Sequence, residues 1–175
     1  MSTDLSLDPK ALDGQQRLFA NLQTTHQVYQ QLLELAEKKR AHIIANDIEE
    51  LRADLAAEER LAAEGATLGA ERESLHRQCC AALEVRAQGS KLEDLCRAMP
   101  PEWARRFQRE RDGLRRTLDR LLRVNRANVV LVNNSLQLMR GLLAALFGAE
   151  QVSAYGRRGV RSETELTRRV LDTSG

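Results

Sequence analysis

The sequence feature that most restricts the fold is a regular spacing of apolar and small polar residues between Leu114 and Leu146. Intervals of four and three residues alternate without a break, and an average spacing of 3.5 residues lines up side chains along one edge of an α-helix. Further apolar residues widen this edge, so the segment predicts a helix that packs against more than one neighbour. The seam comprises Leu114, Leu118, Leu121, Asn125, Asn128, Val132, Ser135, Met139, Leu142 and Leu146, and the widening residues are Leu122, Val129, Leu136 and Leu143.

Three polar residues interrupt this seam, namely Asn125, Asn128 and Ser135. A buried amide destabilises a helical interface unless it finds a hydrogen-bond partner, so such residues more often fix the register of packed helices than bind a ligand. We therefore predict that these three residues fix register.

Composition favours helix elsewhere too, because only 3% of the 175 residues are aromatic and the chain has only 10 Gly and 3 Pro. The patterns predict a disordered N-terminus over 1–8, a helical bundle domain over 9–148, and a flexible tail over 149–175 that contains a short amphipathic helix. We expect an all-α fold, either an elongated antiparallel helical bundle or a coiled-coil hairpin of two long helices with shorter middle helices. The predicted helices run from Pro9 to about Glu64, from about Leu68 to Gly89, from Lys91 to Ala98 with a capping box of Ser90 and Glu93, and from Pro101 to about Phe147.

The two long predicted helices carry opposite charge. Residues 1–64 have a net charge of −5 and residues 101–147 a net charge of +6, which favours antiparallel pairing of these helices within the chain. The arginines of the last helix also suggest a nucleic-acid-binding face. We reject that interpretation because the whole chain has a net charge of only +2 and few aromatic residues lie among the arginines.

No pattern in the sequence indicates catalysis. Glu73 and His76 have the Glu-x-x-His spacing of carboxylate di-iron bundles, but a second copy is missing. His26 and His42 lack a partner at ligand spacing, so we expect no catalytic, metal-binding or cofactor-binding residue. The remaining candidates for reactive groups are Cys79, Cys80 and Cys96, which we interpret as reduced, unreactive thiols.

The expected location is the cytoplasm. The chain lacks a run of 18 apolar residues, and its first residues lack the basic-then-apolar order of a signal peptide. A long helical chain without a catalytic site is best interpreted as a protein that acts by binding other proteins, without nucleic acid and without stable insertion into a membrane.

Several segments together resemble the FlgN-type flagellar export chaperones. The likeness covers about residues 15–160 and is carried by LLELAEKKRAHIIANDIEEL at 32–51 with Glu58 and Glu59, by LDRLLRVNRANVVLVNNSLQLMRGLLAALFG at 118–148, and by Tyr155 and Gly159. The resemblance implies a cytosolic chaperone that binds the C-terminal helical segments of hook-filament junction proteins and delivers them to the flagellar type III export gate. It also implies that Tyr155 contacts that gate.

The stripe of the last helix is widest near its C-terminal end, where methionine suits an adaptable surface. We predict that the client-binding residues are Val132, Leu136, Met139, Leu143 and Phe147. A chaperone of this kind should be a monomer or weak homodimer. The alternative is a structural coiled-coil stalk or adaptor protein that acts by self-association and forms a stable oligomer.

Overall fold

The protein is described by a computed structural model over residues 9–87, 89 and 91–147. This part of the chain contains four helices and no strand, which confirms the predicted all-α fold class. The helices are α1 (Pro9–Ala45), α2 (Ile48–Ala82), α3 (Leu92–Ala98) and α4 (Pro101–Phe147). The chain divides into two compact units, residues 1–128 and residues 129–175, which are described separately below. The N-terminus and the tail predicted from the sequence lie outside the described residues.

The first long helix ends at Ala45, so the prediction of one helix continuing to Glu64 is wrong. Asn46 adopts a left-handed conformation with φ of 55°, which asparagine tolerates better than most residues. Asp47 then caps α2, because its side chain accepts a hydrogen bond of 3.2 Å from the backbone N–H of Glu50. The chain reverses direction here without a proline or a glycine.

Because of this reversal, α1 and α2 form an antiparallel hairpin. Near one end, Asn21 Nδ2 donates hydrogen bonds to the carbonyl oxygen of Leu68 at 3.2 Å and to Glu71 Oε2 at 2.9 Å. Near the other end, His42 Nδ1 lies 2.7 Å from Asp54 Oδ2. Within residues 9–82, the two helices that pair antiparallel are therefore α1 and α2.

Within the first unit, α4 runs parallel to α1. His26 contacts Glu110, whereas Glu37, eleven residues further along α1, accepts a hydrogen bond of 2.7 Å from Arg120. Residue numbers therefore increase in the same direction along both helices. The predicted antiparallel pairing of the first and last long helices is wrong, because the unrecognised turn at Asn46 adds one reversal of the chain.

The core of the first unit lies where all four helices meet. Phe107 of α4 is fully buried, and its ring contacts that of Phe19 edge-on with the centroids 5.3 Å apart. Burial of side chains of this size contributes about 1.5–3 kcal/mol each. The other members of the buried cluster are Leu18, Leu22, Leu75, Cys79, Cys80, Leu95, Cys96 and Met99.

The short helix α3 places Leu95 and Cys96 in this core. Its N-cap is Lys91, whose backbone N–H donates a hydrogen bond of 2.9 Å to Asp94 Oδ2. The predicted capping box of Ser90 and Glu93 is therefore wrong at Glu93, which instead accepts a hydrogen bond of 2.6 Å from Arg111 of α4. Ser90 lies outside the described residues.

Candidate functional site

The second unit presents an exposed apolar surface on the last five turns of α4. Nine large apolar side chains between Val129 and Leu146 are exposed, with exposed fractions from 36% to 74%. In the first unit, by contrast, Leu121 of the same helix is 8% exposed. Eight of the nine lie on one side of the helix, and we refer to these as the apolar face: Val129, Val132, Leu136, Leu138, Met139, Leu142, Leu143 and Leu146.

Helical geometry concentrates this surface on one side. At about 100° per residue, the four residues Val132, Leu136, Met139 and Leu143 lie within about 60° of arc. The further leucines that extend this arc to about 160° are Leu138, Leu142 and Leu146. The opposite side of the helix is mainly polar, since it carries Asn133, Asn134, Gln137 and Arg140 beside the single apolar residue Val130. This segment is therefore an amphipathic helix whose exposed apolar side is suited to packing against a partner.

Four of the five predicted client-binding residues thus share one exposed side of α4. The fifth, Phe147, is the last residue of the helix, and its side chain lies outside the described residues. Tyr155, the predicted export-gate contact, also lies outside them.

The three residues predicted to fix register lie in different environments. Asn128 is 4% exposed, and its Nδ2 donates a hydrogen bond of 2.8 Å to the backbone carbonyl oxygen of Ala36 in α1. Asn125 is half-buried, and its Oδ1 has no hydrogen-bond partner among the described residues. Ser135 is exposed, and its hydroxyl donates to the carbonyl oxygen of Leu131 in its own helix. Among the described contacts, Asn128 alone of the three forms a hydrogen bond to another helix.

His26 also joins α1 to α4. Its Nδ1 lies 2.5 Å from Glu110 Oε1, and its Nε2 lies 3.0 Å from Thr117 Oγ1. The sequence interpretation missed this partnership because Glu110 is 84 residues away and no local motif connects them. With its two ring nitrogens occupied, this histidine has the contacts of a structural residue between helices.

The described residues contain no group of three or more His, Cys, Asp or Glu side chains that could hold a metal ion. Glu73 and His76 line a cavity of about 410 Å³ whose other lining residues include Leu18, Leu22 and Leu114. Two potential ligands beside an apolar wall do not complete a metal site.

The three cysteines are buried in the first unit. The pKa of the Cys79 thiol is raised to about 11, mainly by burial and to a smaller extent by the neighbouring Cys80, while Arg17 partly opposes the shift. Burial also raises the pKa of Cys96, although Arg111 opposes that effect. Because the thiolate is the reactive form, Cys79 and Cys96 have the properties of core residues and not of nucleophiles.

Length and composition alone would also allow α4 to cross a membrane over Pro101–Leu146. One helix that meets this criterion is weak evidence of a membrane span, so by itself it does not distinguish a membrane span from a protein-binding helix. The first half of that range carries arginines along its exposed side, which are unfavourable within a bilayer.

A helical protein with an exposed apolar face on its last helix belongs to the class that acts by binding other proteins. A family model described as FlgN protein matches residues 14–163, and the chain belongs to the FlgN family. This confirms the resemblance found in the sequence. Neither the curated proteins nor the solved structures include a significant match.

Members of this family are chaperones in flagellum assembly, generally soluble and cytoplasmic, and the family is not known for enzymatic activity. A flagellar chaperone role follows for the chain in general terms.

Proposed function

We propose that this protein is a cytoplasmic chaperone that binds hook-filament junction proteins, prevents their premature assembly and delivers them to the flagellar type III export apparatus. Membership of the FlgN family supports the general role. The observation that carries the specific proposal is the apolar face, because eight large apolar side chains remain exposed on one side of an amphipathic segment.

The proposed client is a C-terminal helical segment of the junction protein. Its apolar side packs against Val132, Leu136, Met139 and Leu143, and Phe147 completes the row at the end of α4. Residues spaced in this way are suited to binding an amphipathic helix. Each half-exposed leucine that becomes buried contributes about 1 kcal/mol to the complex. While this surface is covered, the client's own apolar helix is also covered and cannot polymerise.

Delivery is assigned to the tail. An aromatic side chain can anchor a chain in a pocket of a partner, and Tyr155 has this role in the proposal. Tyr155→Ala should leave the client complex intact but reduce secretion of the client and binding to the export gate. Normal secretion by this variant would contradict the assignment.

The client-binding proposal is tested with the double variant Leu136→Ser and Leu143→Ser. These side chains are 43% and 46% exposed, so the substitutions should leave the melting temperature nearly unchanged while abolishing the complex with a purified junction protein. Light scattering on a size-exclusion column measures the complex directly.

The matched control is the double variant Ile48→Ser and Leu55→Ser on α2. These residues are also seven positions apart, and they are 49% and 47% exposed. The control should still bind the client. If both variants lost the complex equally, or if the α4 variant melted at a much lower temperature, the apolar face would not be the client surface.

The same experiment addresses self-association through a structural coiled coil. An exposed apolar helix face is also suited to pairing with a second copy. A stable oligomer that persists on dilution, forms no client complex and dissociates in the α4 double variant would support the stalk or adaptor function and contradict the chaperone.

A further inference from the structure

The outer side of α4 within the first unit carries arginines that the proposed client surface does not use. At about 100° and 1.5 Å per residue, five of them lie within about 60° of arc and extend over about 27 Å of helix. Phe107 and Leu121 lie on the opposite side of the same helix and are buried. We refer to these five exposed residues as the arginine row: Arg105, Arg109, Arg116, Arg120 and Arg123.

Most of the arginine row forms no direct ion pair with a residue that the structure describes. Among the residues that the structure describes, only Arg120 of the row forms an ion pair, with its Nη2 2.7 Å from Glu37 Oε1. The other four have no carboxylate of a described residue within 4.0 Å. Like charges held along one rigid helix create a positive potential, which an anionic partner would neutralise.

The surroundings of the row restrict the shape of that partner. Asp112 and Asp119 are exposed and border the row about 20–40° around the helix, and Glu37 of α1 borders it on the other side. Exposed Glu102 lies in line with the row, one turn before Arg105 at its N-terminal end. A broad anionic surface, such as a membrane or duplex DNA, would meet these carboxylates as well as the arginines. A partner about one helix wide would meet mainly the arginines.

The spacing of the row favours a helical partner. Arg109, Arg116 and Arg123 are seven residues apart, the repeat at which charged residues of two packed helices face each other. A guanidinium group also binds a carboxylate through two parallel hydrogen bonds. No aromatic residue lies within the row to stack with bases of a single-stranded nucleic acid.

We propose that the arginine row is a second protein-binding surface, which docks an acidic α-helix whose carboxylates repeat at alternating three- and four-residue intervals. This surface lies outside the apolar face, so an experiment can contradict this proposal without contradicting the proposed client-binding function. It gives the protein a means to bind a second partner through charge.

Two alanine-rich helical peptides of equal composition test the proposal. In one, glutamates at alternating four- and three-residue intervals form a single stripe, and in the other the same number of glutamates is spread around the helix. Fluorescence anisotropy should show that the protein binds the striped peptide roughly tenfold more tightly, with affinity that falls as salt is added.

The variant Arg109→Glu with Arg116→Glu should lose this preference and should instead bind a peptide with a lysine stripe. Its matched control, Arg115→Glu with Arg126→Glu, changes the net charge equally but on another side of α4, and should behave as the wild type. If circular dichroism shows that the first variant is unfolded, Arg109→Gln with Arg116→Gln replaces it. That variant should lose the preference for the striped acidic peptide without gaining affinity for the lysine stripe.

Equal binding of the two acidic peptides would overturn the proposal. So would equal losses in the variant and its control. Tighter binding of phosphatidylglycerol vesicles or of a single-stranded oligonucleotide than of either peptide, abolished by the Arg109 and Arg116 changes, would assign the row to a membrane or to nucleic acid and would also overturn it.

Discussion

The side-chain nitrogen Nδ2 of Asn128 in α4 lies 2.8 Å from the backbone carbonyl oxygen of Ala36 in α1, in a position where Asn128 is 4% exposed. The amide donates across two parallel helices, so this hydrogen bond is formed only when residue 128 lies level with residue 36. Sliding either helix by one turn, about 5.4 Å, would break it.

This bond predicts different outcomes for two substitutions of Asn128. Asn128→Asp keeps the shape but places a buried carboxylate against a carbonyl oxygen, and should lower the free energy of unfolding by about 3 kcal/mol. Asn128→Leu removes the polar group altogether and should change it by less than about 1 kcal/mol. Urea denaturation measures both values. Equal stabilities of the two variants would show that the amide does not donate across the interface.

Gly113 of α4 is required by its contact with His26. A Cβ atom at this position would lie 2.9 Å from His26 Cε1, and the ring is held in place by Glu110 and Thr117. Gly113→Ala should therefore destabilise the protein by about 1–3 kcal/mol, although alanine favours helix.

The matched control is Gly69→Ala in α2, where an added Cβ meets no atom within 4 Å. This variant should be more stable than the wild type by about 0.5–1 kcal/mol. In a double-mutant cycle, His26→Ala should remove most of the cost of Gly113→Ala. A stabilising effect of Gly113→Ala in the wild-type background would contradict the packing of these two helices.

The turn between α1 and α2 is tested at Asn46. Because this residue has φ of 55°, Asn46→Ala should destabilise the protein by about 1 kcal/mol, whereas Asn46→Gly should be nearly neutral. If α1 and α2 formed one continuous helix, the order would be reversed, since alanine is the best helix former and glycine is among the worst. Thermal unfolding of the two variants distinguishes these possibilities.

The cysteines should be unreactive in the folded protein. With a pKa of about 11, Cys79 has about one thiolate in a thousand at pH 8, and its side chain is 1% exposed. N-ethylmaleimide should therefore label it far more slowly in buffer than in concentrated urea, as followed by mass spectrometry. Comparable rates in the two solutions would show that the core around Cys79 opens readily.

Much of this fold could be predicted from the sequence because apolar spacing and proline positions act locally. The bounds of α4 and the C-terminal end of α3 followed from Pro100, Pro101 and the heptad pattern. The end of α1 did not, because helical apolar spacing continues from Ile44 through Ile48 to Leu55 with no proline or glycine between them. The usable signal was the combination of Asn46, the capping residue Asp47 and Glu50 three residues later.

The candidate site was only partly predictable for a related reason. Periodicity indicates which residues share one side of a helix, but not whether that side is covered. The same pattern passes through Leu121, which is 8% exposed, and Leu142, which is 58% exposed. Whether a residue is buried depends on helices that are distant in sequence. The partners of His26 are also distant in sequence, so a local pattern predicts neither the burial nor these partners.

The most direct test of the proposed function is amide hydrogen exchange on the full-length protein, with and without a purified junction protein. On binding, exchange should slow within residues 129–147 of α4, while peptides from the core around Leu75 and Phe107 should be unchanged. Slower exchange confined to α1 and α2, or no change within residues 129–147 under conditions where light scattering shows a complex, would contradict the assignment of the apolar face as the client-binding surface.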